Sequence, residues 1–210
     1  MNFTECNGFL LLLQCRINDM TDFREEIRKA VAVLRRGGII LYPTDTVWGI
    51  GCDATNSEAV RRIFELKRRA DHKAMIVLVD SLAKLEHHAD GIPDVAYDLI
   101  EASERPLTIV YDRGVGLAPE LLGPDGSVGI RLTRESFSAG LCRALGRPLV
   151  STSANISGEK AARCFAEISR EITDNVDFIA DYRREEPAGA ARPSCVMRLG
   201  ESGLFKILRP

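Results

Sequence analysis

Three stretches of this 210-residue chain crowd hydroxyls, amides and charged groups at spacings that suit phosphate and carboxylate chemistry. The first is Tyr42-Pro43-Thr44-Asp45-Thr46-Val47-Trp48-Gly49-Ile50-Gly51-Cys52-Asp53-Ala54, directly after an apolar run ending at Tyr42. Open α/β sheets put ligands at such strand ends, although Pro, Thr, Asp and Gly also build ordinary turns. Gly49 to Ala54 is a formal G-x-G-x-x-A match to the dinucleotide fingerprint. Six residues stand between Tyr42 and Gly49, so the tight strand-to-helix turn is lost and nicotinamide binding is not expected.

The second stretch is Lys67-Arg68-Arg69-Ala70-Asp71-His72-Lys73. From Arg61 to Lys73 six Lys or Arg face only Glu65 and Asp71. Cations at a helix end are favourable in themselves. Here the run continues into a loop before a buried strand, where an Arg fork and a Lys point charge also suit a polyphosphate. Both readings stand. The third stretch, Leu149-Val150-Ser151-Thr152-Ser153-Ala154-Asn155-Ile156-Ser157-Gly158, ends a short strand in hydroxyls and an amide able to bind phosphate or ribose oxygens. Smaller pieces are Ser127-Val128-Gly129-Ile130-Arg131, Pro193-Ser194-Cys195-Val196 and the terminal Leu208-Arg209-Pro210.

Several chemistries are excluded. There is no G-x-x-x-x-G-K-[ST] phosphate loop and no G-x-S-x-G nucleophile elbow. S-x-x-K occurs at Ser157–Lys160 and at Ser81–Lys84 without a K-T-G, so neither marks an acylase. The six cysteines form no C-x-x-C, and the three histidines have no i, i+4 pairing, which argues against a zinc site.

The elements that must position these groups alternate. Phe23, Ile27, Ala30, Val31 and Leu34 repeat at helical spacing behind an Asp22 cap, and Gly37-Gly38 stops that helix. Strand Ile39–Tyr42 follows, then a helix capped by Ser57, then strand Met75–Val79. Helices around Leu82–His88 and Val95–Ala102 precede strands Leu107–Tyr111 and Val128–Leu132. Helix Phe137–Leu145, strand Leu149-Val150, a helix near Phe165–Ile172 and strand Phe178–Ala180 lead to a closing hairpin, Cys195–Leu199 with Leu204–Leu208. Interleaved strands and helices predict an α/β fold with a mixed sheet. The Arg183–Pro193 stretch reads as a surface loop of the lid or binding-loop kind.

Length and composition fit one soluble domain. Apolar residues are 45% and charged residues 28%, and the net charge of −2 leaves no global footprint for duplex nucleic acid. Any polyanion must use a local basic site. Gly8 to Leu13 is apolar but too short to span a bilayer, and it lacks the basic region of a targeting peptide. Residues 1–21 therefore read as a leader, either an added edge strand or a mis-assigned start, and residues 22–210 as the domain. Reduced cysteines and no secretory signal imply the cytoplasm and no membrane.

Taken in this order, the segments resemble the YrdC-like family of threonylcarbamoyl-adenylate synthases in its single-domain form. The matching pieces are Tyr42–Gly51, Lys67-Arg68-Arg69, Pro106-Leu107-Thr108, Val128–Arg131, Ser153–Gly158, Ser194 and Leu208-Arg209, across about residues 22–210. Trp48, Ala70, Arg105 and Cys195 depart from the family's Tyr, Pro, Gly and Thr, and Leu78 stands where some members carry a His.

The resemblance implies a twisted mixed β-sheet flanked by helices with a concave cationic cleft. It implies that L-threonine, bicarbonate and ATP give threonylcarbamoyl-AMP and diphosphate, for modification of adenosine 37 in tRNA. It puts Thr44, Arg131, Ser151 and Ser194 around threonine, and Arg69, Lys73, Ser127, Ser153, Asn155 and Arg209 around ATP, with Lys67 and Arg69 as catalytic cations. Magnesium is expected with ATP, and no organic cofactor. The implied partners are a tRNA-modifying threonylcarbamoyl transferase complex and tRNA or double-stranded RNA. The rival reading is a YrdC-like double-stranded-RNA or ribosome-associated binding protein without synthase activity.

Overall fold

A computed structural model describes residues 23–68, 75–189 and 193–210. The Asp22 cap, the leader, Arg69 and Lys73 lie outside the described residues. Helix α1 (residues 23–35) buries Ile27, Ala30, Val31 and Leu34, the stripe its spacing predicts. It ends at Gly37, whose φ of +77° suits glycine and lets the chain turn back. Strand β1 (Ile40–Tyr42) is wholly buried. It returns through a loop at residues 43–48 into the antiparallel strand β2 (Gly49–Gly51). The sequence predicts no strand between Tyr42 and Ser57, yet the two glycines of the G-x-G match belong to one, not to a dinucleotide loop. A Cβ at Gly51 would collide with the Val150 carbonyl and lie 2.7 Å from the Tyr42 ring.

Helix α2 (Ser57–Leu66) is capped by Asn56, whose side chain accepts the Ala59 N–H at 3.1 Å. The cap therefore sits one residue before the predicted Ser57. Strand β3 (Ile76–Val79), helix α3 (Leu82–His88), the short β4 (Ala89–Asp90), helix α4 (Val95–Ala102) and strand β5 (Leu107–Tyr111) follow. After the short β6 (Arg113–Gly114) come β7 (Val128–Leu132), α5 (Ser136–Leu145) and β8 (Leu149–Ser153). β8 runs three residues further than predicted, because Ser151 and Thr152 pair with β3 and β2.

The helix predicted at Phe165–Ile172 is instead a 3₁₀ turn (Phe165–Glu167) and the short helix α6 (Arg170–Thr173). That stretch buries only Ile168 and Ile172, too little apolar face to hold a continuous helix. Strands β9 (Phe178–Ile179), β10 (Cys195–Leu199) and β11 (Phe205–Arg209) complete the chain, the last two forming the predicted antiparallel hairpin.

Among the described residues, nine strands make one mixed sheet in the order β11-β10-β5-β7-β3-β8-β2-β1-β9. β10 with β5, β3 with β7 and β1 with β9 are parallel; the other neighbours are antiparallel. β4 and β6 form a separate two-stranded ribbon.

Strand side chains alternate between faces. Val128 and Ile130 of β7, and Ile109 and Tyr111 of β5, belong to the buried core, with α3 packed on β3 and β7 and α5 on β3. One fastening joins distant parts of the chain. Phe137 is fully buried, stacks on Tyr182 at 5.3 Å and meets Phe23 edge-on at 5.7 Å, tying α1, α5 and the segment after β9 together. Truncation of such a ring costs about 3–5 kcal/mol.

Candidate functional site

The alternation that builds the core also builds the site. The opposite parity positions (Ile76, Thr108, Val110, Gly129, Arg131, Ser151, Ser153 and Val196) line a cleft of about 450 Å³. Gly49, Ser127, Asn155, Ser194 and Arg209 close it at the strand ends, with Thr46 and Val47 from the 43–48 loop. Seven of the residues singled out in the sequence therefore share one cavity: Ser127, Arg131, Ser151, Ser153, Asn155, Ser194 and Arg209. Strand order and register bring them together across long sequence separations.

At one end Arg131 is 2% exposed. Its Nη2 lies 3.0 Å from Asp45 Oδ1 in an ion pair outside hydrogen-bond geometry, and its Nε is buried without an acceptor. Burial pushes the Asp45 carboxyl above its ordinary range, and the Arg131 charge opposes that. Burial likewise lowers Arg131, and Asp45 opposes that.

Thr44 is buried in the loop. Its hydroxyl donates to the Val47 carbonyl at 2.7 Å and accepts the Thr46 N–H at 3.0 Å. An added Cβ at Gly49 would lie 3.2 Å from the Thr44 methyl and 3.4 Å from Ser151 Oγ, so that methyl and that hydroxyl flank one backbone position. Ser194 Oγ shares a 2.9 Å hydrogen bond with Thr108 Oγ1. Arg209 holds Ser194 from above, donating Nε to its carbonyl at 3.0 Å and Nη2 to its hydroxyl at 3.2 Å.

At the other end Lys67 is buried. Its ammonium donates to the Ser153 carbonyl and, at 2.6 Å, to the Asn155 carbonyl, and its own carbonyl accepts the Ser157 N–H at 2.9 Å. Lys67 thus fastens the end of β8 to the end of α2. The Asn155 amide donates to the Ile156 and Glu159 carbonyls, which leaves its Oδ1 buried and unpartnered. Ser127 gives its hydroxyl proton to Asp125 at 2.6 Å. That contact and Arg198 hold the Asp125 carboxyl down to about 2.

The run of cations is not one free patch. Arg61 pairs with Glu120, Arg62 with Asp177 and Arg68 with Glu171, all on the surface. Among these the solvated-face reading is the one observed. What escaped sequence reasoning is the pairing of these groups: Asp45 with Arg131, Thr108 with Ser194, Ser127 with Asp125, and Lys67 with the Ser153 and Asn155 carbonyls.

A family model described as "Telomere recombination" and labelled Sua5, YciO and YrdC matches residues 32–210. This chain belongs to that Sua5/YciO/YrdC family. Two proteins named "Threonylcarbamoyl-AMP synthase" illustrate its relatives within the family. That of Stenotrophomonas maltophilia is 38% identical over 79% of this chain and 89% of its own. That of Halorhodospira halophila is 34% identical over 85% of this chain and 92% of its own.

Among solved structures, a P. abyssi Sua5 variant superposes with a TM-score of 0.81 at 29% identity, covering 89% of this chain. This chain spans only about half of that longer Sua5 chain, 56% of it. The same P. abyssi protein complexed with L-threonine gives a TM-score of 0.75 over 84% of this chain and 51% of that chain. E. coli YciO, at 24% identity and a TM-score of 0.76 over 89% of both chains, shares the fold.

Proposed function

We propose that this family member is a threonylcarbamoyl-AMP synthase: L-threonine, bicarbonate and ATP give threonylcarbamoyl-AMP and diphosphate. The observation that carries the reading is the sheet-face cleft itself. A buried arginine with an unpartnered Nε sits in one cavity with Ser151 and Ser194, and the cavity continues to Ser127, Ser153, Asn155 and Arg209.

The chemistry needs positioning more than a nucleophile. The threonine amine, neutral when it reacts, attacks the bicarbonate carbon, and the resulting carbamate attacks the α-phosphate in line with departing diphosphate. Orienting the reactants and stabilising phosphoryl charge supply most of such acceleration. Arg131 binds the threonine carboxylate through its fork. Ser151, Ser194 and the Thr44 loop surround the side chain. Ser127, Ser153, Asn155 and Arg209 take ATP, with Lys67 holding the 153–155 segment in place and Arg69 and Lys73 as its phosphate cations.

Magnesium comes as part of magnesium–ATP. Among the described residues no group of three or more His, Cys, Asp or Glu could cage a metal. The hydroxyl-lined cleft fits an ion carried mainly by phosphate oxygens and water. The product passes to a tRNA-modifying threonylcarbamoyl transferase complex in the cytoplasm. Among the described residues no helix is long and apolar enough to cross a membrane.

The test is diphosphate release from ATP with threonine and bicarbonate omitted in turn. Release that requires both supports the reading, and release independent of either overturns it.

A further inference from the structure

The 43–48 loop separates two spaces. On its inner side Thr46 and Val47 line the cleft. On its outer side it borders a second cavity of about 310 Å³, whose far wall includes Arg163, Arg183 and Pro187. A loop backed by open volume, in place of close-packed side chains, has room to move outward. A small number of specific contacts must therefore keep it against the cleft.

Arg183 supplies one of them. Its Nη1 donates to the Thr44 carbonyl at 3.1 Å, and its Nε donates to the Glu186 carboxylate at 2.8 Å. Thr44 passes the grip inward, since its hydroxyl accepts the Thr46 N–H and donates to the Val47 carbonyl. The backbone that presents Arg183 is itself anchored. Glu26 of α1 accepts the N–H groups of Asp181 and Tyr182, and the Tyr182 ring stacks on buried Phe137. A second contact comes from Arg184, whose guanidinium lies 4.4 Å over the Phe165 ring, and Phe165 packs on Trp48 at 5.1 Å.

Arg183 also has a φ of +58°, the left-handed region that a long side chain rarely adopts. Such conformations persist only where the surroundings enforce them, and they gather at functional sites. Here the enforcing contacts run to the loop that walls the cleft, while Arg183 itself does not line it.

We propose that Arg183 is a positioning residue: it holds the 43–48 loop through the Thr44 carbonyl and so sets the shape of the amino-acid end of the cleft. This rests on the reading above that this end takes threonine.

The test uses the intact chain. Arg183→Gly removes the side chain and suits the left-handed backbone, so melting is expected to stay near the wild-type temperature. Trp48 is the chain's single tryptophan, is 7% exposed and lies in the loop, so its fluorescence reads the loop without any substrate. In Arg183→Gly its emission is expected to move to longer wavelength and acrylamide to quench it more strongly. The threonine KM is expected to rise about tenfold, the worth of one lost hydrogen bond, with the ATP KM and the kcat at saturating threonine unchanged. Arg183→Lys, which keeps a donor and its charge, is expected to recover both readouts in part.

Unchanged Trp48 fluorescence or an unchanged threonine KM in Arg183→Gly overturns the proposal, as does Arg183→Lys no better than Arg183→Gly. So does a variant that melts well below the wild type with both KM values raised together, which marks a general structural role. If the wild type releases no diphosphate with threonine, the synthase reading falls, and the fluorescence comparison still decides whether Arg183 holds the loop.

Discussion

The ammonium of Lys67, at the end of α2, donates to the carbonyl of Asn155 at 2.6 Å, across 88 positions of sequence. It donates to the Ser153 carbonyl as well, so one buried cation holds both sides of the bend where β8 leaves the sheet. The Ser153 hydroxyl and the Asn155 amide that line the cleft are carried by this bend.

Lys67→Ala is expected to cost about 1–3 kcal/mol, the penalty for stranding buried acceptors. It is also expected to raise the ATP requirement more than the threonine requirement, because the 153–155 segment moves. Thermal melting with separate titrations of the two substrates measures this; an unchanged melting temperature would show that Lys67 is not a fastener.

Arg209 is exposed and holds Ser194 through two hydrogen bonds. Arg209→Ala is expected to leave melting nearly unchanged while kcat/KM for ATP falls about tenfold, or ~1.4 kcal/mol. Initial-rate kinetics at saturating threonine is the check.

The β3, β5 and β7 strands were legible because their apolar runs, rich in β-branched residues, can only be buried sheet. β2 was not, since Gly-Ile-Gly carries no strand signal and owes its place to pairing with Tyr42 on one side and Ser153 on the other. The same division holds in the site. Ser151 and Ser153 stand out in the sequence as hydroxyls at a strand end, whereas Ser127, Arg131 and Ser194 are singled out only through the family resemblance. The Asp45–Arg131 pair, the Thr108–Ser194 bond and the grip of Lys67 did not, because each joins segments that only sheet order brings within 3 Å.

His88 tests the β4–β6 ribbon. It is 6% exposed, its Nδ1 lies 3.0 Å from the Val115 carbonyl, and burial lowers its pKa. The unfolded chain takes up the proton first, near the ordinary His value of about 6.5, so stability is full above that pH and falls as pH drops toward the lower folded pKa. His88→Gln, which does not titrate, is expected to flatten the decline in urea midpoint between about pH 6.5 and 5. An equal decline in both proteins would assign it elsewhere.

Substrate choice tests the proposed threonine pocket. Serine lacks one methyl, worth roughly 1–3 kcal/mol in an apolar setting, whereas valine lacks the hydroxyl and leaves polar groups unpaired. Threonine, then serine, then valine is the expected order of kcat/KM. The Leu78 side chain, apolar and fully buried, offers a hydroxyl no hydrogen-bond partner. Valine equal to threonine would mean that the hydroxyl is not read.

The most direct measurement of the central claim is mass spectrometry of the product formed from threonine, ATP and ¹³C-bicarbonate. The expected result is threonylcarbamoyl-AMP carrying the labelled carbon, formed in step with diphosphate. ATP consumed to ADP, or to AMP without any labelled adduct, would contradict it.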